Sequence, residues 1–253
     1  MTVRGWFGGR LDMSLPLFGA VAAGLCLLVA LPMGWLLWFS VTDGSGALTG
    51  ANFLKLFIDP ALRKPLFVSL QIAAAAALLA CVLATPLAWL VARTDLPFRG
   101  TIRALVTASF VTPPFLGAVA WELLAAPNSG ILNNWARAWF GWEEFDYLFD
   151  IYTIEGVAFC IACYAFPYVF TLLAGALDSI PSDQEDASRV LGAGAGTTLR
   201  RVTLPLILPS MLAGTLVAFL QALTLFGTPA ILALPSGFHT LTTKIWSLFQ
   251  VPP

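Results

Sequence analysis

The stretch SDQEDASRVLGAGAGTTLRRVTLPLILP, Ser182 to Pro209, decides the fold, because it is a long polar interruption in a chain that is otherwise apolar enough to sit in a bilayer. Ser182 and Glu185 are spaced as a capping box. Asp183, Glu185 and Asp186 load the first turn with negative charge, Arg189 lies near the other end, and Gly192 stops the helix. The resulting helix of about nine residues is shorter than the roughly 12 to 15 that an isolated helix needs in water. It must therefore dock on something, and Ala187, Val190 and Leu191 offer a small apolar face. Gly194 and Gly196 permit a tight turn, and Thr197 can cap the segment that carries Arg200 and Arg201 into the next apolar run.

Working outward, the 253 residues are 58% hydrophobic and 11% charged, with a net charge of -1. A soluble domain carries about 25% charged residues, so the composition is that of a membrane protein. Near-neutral charge argues against a nucleic-acid partner. Five apolar runs are long enough to span: Leu15 to Val41, Leu66 to Ala92, Ala104 to Ala126, Thr153 to Leu177 and Leu206 to Phe226. Residues 1–14 read as a short cytoplasmic tail, 178–205 as the loop that carries the Ser182 helix, and 227–253 as an outer segment with an amphipathic stretch from Leu241 to Val251. The first run is too long for a signal-peptide core of about 7 to 15 residues and is read as retained. The second is rich in alanine and suited to close helix packing. With the N-terminus inside, the tail, the Arg93–Arg103 loop and the Ser182 loop hold eight of the thirteen Lys and Arg, which places the short helix on the cytoplasmic side.

At the Ser182 loop the sequence resembles the E-A-A-x3-G-x9-I-x-L-P signature of permease subunits of binding-protein-dependent ABC importers. Asp186, Ala187 and Ser188 take the Glu-Ala-Ala places, and Gly192, Val202, Leu204 and Pro205 take the Gly, Ile, Leu and Pro places. Glu185, one position earlier, is a second candidate for the carboxylate. The resemblance continues in Tyr168 to Ala187, in PNSGILN (Pro127 to Asn133) and in Phe226 to Trp246, the last two being similar to the ferric-iron branch.

The resemblance implies an all-α polytopic bundle of the type I importer permease kind, with five spans present and a sixth expected beyond residue 253, in a truncated chain or the first half of a two-half permease. It implies a multi-pass protein of the bacterial inner membrane that passes cargo, ferric iron on these motifs, from a periplasmic binding protein to the cytoplasm. Polyamine, thiamine, phosphonate, sulfate and molybdate permeases share the signature. The implied partners are a dimeric ATP-binding subunit, the binding protein and a second permease half. Glu185, Asp186, Ala187, Arg189, Leu191, Gly192, Leu204 and Pro205 are the implied ATPase-coupling residues. No cofactor is expected on this chain, with ATP and magnesium used by the ATPase. A secondary transporter or channel half that needs no nucleotide is the alternative from another class.

Other residues carry two readings each. Glu122 is the one ionisable residue well inside a run, so it marks either a substrate path, with Phe226 and Thr228, or a carboxylate reaching for the interface. His239 is an iron ligand or a loop residue. Cys160 and Cys163 form a lone CxxC, in which the thiols behave as small hydrophobes. The acidic run Glu143 to Asp150 faces a binding protein or solvent. Pro113-Pro114, Pro167 and Pro229 are hinges or static kinks. There is no HExxH, no Ser-His-Asp set around the single His239, and no GK[ST] phosphate loop near Lys55, Lys64 or Lys244, so an enzymatic role is not expected.

Overall fold

The structure, a computed structural model, describes residues 14–143, 146–181 and 183–250. The tail before Ser14, Glu144, the Ser182 cap and Val251 lie outside the described residues. The chain divides into two compact units, one up to Pro60 and one from Ala61.

In the first unit, α1 (Ser14–Ser40) is apolar on every side and exposed on every side, the surface of a helix meant for lipid or for another chain. Its end is tied down by Asn52 of the amphipathic α2 (Ala51–Ile58), whose Nδ2 donates to the carbonyls of Ser40 (3.2 Å) and Thr42 (2.9 Å). These carbonyls follow the last helical turn and need donors from outside it.

In the second unit, α3 (Pro60–Arg93) begins earlier than the expected Leu66, since a proline at the first helical position costs no hydrogen bond. The helix buries Ala73, Ala76, Ala77, Ala80, Ala84 and Ala88, which recur at three- and four-residue steps and form one smooth face. The run expected as a third span, Ala104 to Ala126, is not one rod. It splits into α4 (Arg99–Ala108) with a 3-10 turn to Val111, and α5 (Pro114–Ala125), bent by 102°. Two consecutive prolines explain the sharpness, because Thr112 and Pro113 each precede a proline and both are driven into extended backbone (ψ 120° and 138°).

After α6 (Ile131–Phe140), α7 (Ile154–Ser179) runs through the middle, with residues buried from Val157 to Leu177. The expected polar loop that follows is largely helical: α8 (Asp183–Val190) is followed by a turn over residues 191–194, after which α9 (Ala195–Thr198) and a π turn over Leu199–Thr203 lead without a gap into α10 (Leu204–Thr224). Pro205 lacks the N–H that a regular turn would use, and the wider π turn absorbs that break in register. The outer segment folds as α11 (Gly227–Leu232) and α12 (Leu241–Gln250). Among the described residues four helices can cross a membrane by length and composition, or five if the bent pair is one span. Among the described residues there are no strands, only an isolated bridge between Thr42 and Leu48.

The core of this unit joins the α3 alanines to Val157, Ile161, Val169, Leu173 and Leu177 of α7 and to Ile207 and Ala218 of α10. Gly214 of α10 sits where a Cβ would come 3.1 Å from Val169 Cα, so only glycine lets the two backbones approach this closely. Gly214→Leu is therefore expected to destabilise the fold by about 1–3 kcal/mol. Gly175→Ala, where a Cβ meets nothing within 4 Å, should be neutral or slightly stabilising. Thermal unfolding of the two variants in detergent checks the contrast.

Candidate functional site

One end of the bundle, where α3 and α7 finish and α10 begins, is built around α8. Gly192 adopts φ +86° and closes the helix as a Schellman motif, with its N–H donating to Arg189 O (2.9 Å) and Ala193 N–H donating to Ser188 O (3.1 Å). Ser188 Oγ lies 3.0 Å from Thr198 Oγ1 of α9, which ties the helix to the turn that follows. Asp186, Ala187, Arg189, Val190 and Leu191 all point outward, and Val190 and Leu191 are 88% and 87% exposed. The face expected to dock is thus open on this chain, held on a short helix with a fixed end.

Glu185 does not belong to that open face. It is 6% exposed, accepts a hydrogen bond from Thr203 Oγ1 at 2.9 Å, and pairs with Arg93 Nε at 3.1 Å. Adjacent helical residues point about 100° apart, so with Asp186 outward Glu185 is turned in. Its expected place among partner-facing residues is corrected accordingly. Asp186 reaches only Arg189, at 3.4 Å on an exposed surface, a pair of small energetic consequence. Leu204 and Pro205 open α10 directly beyond the π turn. Arg93 also donates through Nη2 to Ile180 O (2.9 Å) at the end of α7, and Arg103 of α4 grips Asp178 of α7 with both Nη atoms.

The substrate-path candidates do not form one cluster. Glu122 of α5 accepts a hydrogen bond from Tyr152 Oη at 2.7 Å. Thr228 is 1% exposed, with Oγ1 3.4 Å from Pro114 O, so it packs against the start of α5 instead of lining an opening. Phe226 is exposed, its ring 6.2 Å from that of Trp246. A cavity of about 180 Å³ does open at the break between α4 and α5, lined by Ser109, Thr112, Gly117, Cys163 and Tyr164. His239 Nδ1 is buried with no hydrogen-bond partner, and no group of three or more His, Cys, Asp or Glu able to hold a metal occurs among the described residues.

The outer motifs have structural work. Asn133, 0% exposed, satisfies its whole amide: Nδ2 donates to Ala126 O (2.9 Å) and Phe149 O (2.8 Å), and Oδ1 accepts from the N–H groups of Leu148 and Phe149 (2.9 Å each). Arg137 donates to the carbonyls of Pro127, Asn128 and Asp146. PNSGILN therefore has a folding role: it ties the start of α6 to the chain that leads into α7.

The sequence profile of binding-protein-dependent transport system inner membrane components matches residues 84–252. The chain belongs to that family. A molybdenum transport system permease protein, ModB of Mycobacterium tuberculosis, is 30% identical over 176 residues, 70% of this chain and 64% of its own length. The ferric transport system permease protein FbpB of Actinobacillus pleuropneumoniae is 30% identical over 136 residues, 54% of this chain and 19% of its own length. Among solved structures, a bacterial alginate ABC transporter in complex with an alginate pentasaccharide-bound periplasmic protein superposes with a TM-score of 0.69 at 19% identity, covering 94% of this chain and 84% of that one. That likeness shows a shared fold. The two groups that reading by motif missed, Arg93 and Thr203, lie in the family's matched region but far from Glu185 in sequence or at an unspecified place in the signature.

Tyr152 lies outside the long apolar helices. Burial, then the hydrogen bond to Glu122 and its charge, push the phenol up to about 12 from its ordinary 10.0. Because the folded value is the higher one, this contribution to stability is complete below pH 10 and is lost as pH rises toward 12. Tyr152→Phe should abolish that part of the alkaline slope and cost about 1 kcal/mol at neutral pH, measured as unfolding against pH.

Proposed function

We propose that this chain is the transmembrane permease part of an ATP-driven ABC importer in a bacterial inner membrane, with its N-terminus and α8 in the cytoplasm. The observation that carries the reading is α8 itself: an eight-residue helix, stopped by a left-handed glycine, that holds Ala187, Val190 and Leu191 open to a partner. An exposed apolar pair on a helix too short to be stable alone calls for a covering surface, and a groove on a separate ATPase subunit supplies it. Asp186, Arg189, Leu191 and Gly192 are the residues we assign to this contact, while Leu204 and Pro205 pass its motion into α10. The chain hydrolyses no ATP itself, since it has no GK[ST] phosphate loop. A periplasmic binding protein delivers cargo at the outer face, and a second permease half completes the pathway.

For cargo, the reading we favour is a small oxyanion of the molybdate and sulfate type. The molybdenum relative matches over 64% of its length, against 19% for the ferric one. Ferric iron is the second reading, supported by the FbpB match and by the Pro127–Asn133 and Phe226–Trp246 motifs. Stimulation of ATPase activity in proteoliposomes by the cognate binding protein, loaded with molybdate, sulfate or ferric iron in turn, decides between them. Stimulation by the ferric form alone overturns the oxyanion reading.

For coupling, Leu191→Asp and Gly192→Val are each expected to weaken ATPase association by about 2 kcal/mol, roughly thirtyfold, while leaving membrane insertion unchanged. Co-purification of the ATPase at wild-type levels with both variants counts against the docking role of α8.

A further inference from the structure

Arg93 is the last residue of α3, yet it touches two other elements and reaches a third through Glu185. Its Nε is 3.1 Å from Glu185 Oε1 on α8, and its Nη2 donates at 2.9 Å to Ile180 O, the residue that closes α7. The same Glu185 oxygen accepts the Thr203 hydroxyl at 2.9 Å, and Thr203 is the last residue of the π turn that feeds α10. The inner ends of α3, α7, α8 and α10 therefore meet at a single buried carboxylate and a single guanidinium.

Resting on the importer reading, we infer that Arg93, Glu185 and Thr203 are positioning residues that lock α8 to the bundle, so that force on the loop helix is delivered to α3, α7 and α10 together. Three physical features carry this. The pair is largely withdrawn from water, with 12% of the Arg93 and 8% of the Glu185 side chain exposed, and such a pair is weak support for stability but orients the groups it joins. Removal of either partner leaves a lone charge out of water, so the contact has two discrete states, made and broken, with little between. Thr203 sits in a π turn, a local widening that recurs at functional sites and can return to regular helix when its side-chain tether is released. Among the described residues its other side-chain tie to the rest of the chain is the Ser188–Thr198 hydroxyl contact, the exposed Asp186–Arg189 pair lying within α8 itself. Without the lock, α8 and its apolar tip would still meet a partner, but would pivot at the junctions with α7 and α9 instead of moving the helices.

The lock thus separates docking from transmission, and the test measures both on the intact chain reconstituted with its ATPase and second permease half. Hydrogen exchange of the α8 amides in the purified chain reads the lock directly and does not depend on any importer function. Arg93→Met is expected to speed that exchange about tenfold. In proteoliposomes it should retain the ATPase while lowering cargo moved per ATP hydrolysed by about two- to thirtyfold, the range that residues along a coupling route produce. Arg93→Lys keeps the charge but not both arms, and should fall between. The exchanged pair Arg93→Glu with Glu185→Arg should recover more of the transport-to-ATP ratio than either single change. A role confined to folding would lower transport and hydrolysis in parallel and leave their ratio fixed. An unchanged ratio in Arg93→Met, or a double variant no better than the singles, overturns the inference. Failure of the wild-type chain to retain any ATPase overturns the importer reading, and the transmission role falls with it, whatever the exchange data show about the lock.

Discussion

The close approach of α7 to its neighbours is the constraint on which the rest of the second unit depends. Lipid tails are as apolar as leucine, so helices in a bilayer gain little from hiding apolar surface and must gain from contact itself. The chain meets this with small residues. Six alanines give α3 a smooth buried face, Gly214 brings the α10 backbone against Val169, and the larger side chains of α7, such as Ile161, Leu173 and Leu177, fill the space that remains. Because α7 is held along its length, its inner end at Asp178 and Ile180 is a fixed place. Arg103 and Arg93 both use it as an anchor.

Polar groups are accordingly concentrated where the helices end or break. The Thr112–Pro113 break frees backbone groups that hydrocarbon would not tolerate, and the small cavity beside it has the hydroxyls of Ser109, Thr112 and Tyr164 among its lining, with Trp121, Cys160 and Cys163. The π turn answers a similar problem at Pro205 within a continuous helix. In both places proline sets the irregularity. The outcomes differ because two prolines in a row drive two residues into extended backbone, whereas a lone proline at the second position of α10 needs only a wider turn.

Much of this was legible in the residues. The four long helices fall close to the apolar runs, since twenty or so uncharged residues leave few alternatives. The end of α8 was legible too, because glycine at 192 and the acidic first turn are local signals. What could not be read was anything that depended on distant partners. Arg93 and Glu185 are 92 positions apart, and nothing local marks either as the member of a pair. The Asn133 amide is satisfied by groups 7 to 16 residues away, so the folding role of that motif is not visible in its own residues. The burial of Thr228 beside Pro114 was hidden for the same reason: it comes from tertiary packing that a threonine in a polar segment does not advertise.

The two neighbouring carboxylates of α8 show how the signature itself divides. Glu185 must span from the helix to both Arg93 Nε and Thr203 Oγ1, and a side chain one methylene shorter would have to give up one of the two. Asp186 carries no such demand from within the chain, since it faces outward and meets only Arg189 across an exposed gap. The chain can therefore carry aspartate in the signature's first position without loosening its own loop, because the length that matters internally is supplied one residue earlier. Exchanging the two acids would keep the charge and composition of the first turn while removing the reach that ties it to the bundle. The acidic first turn is thus not a generic complement to the helix dipole. It is one carboxylate committed to this chain and another left exposed beside Val190 and Leu191.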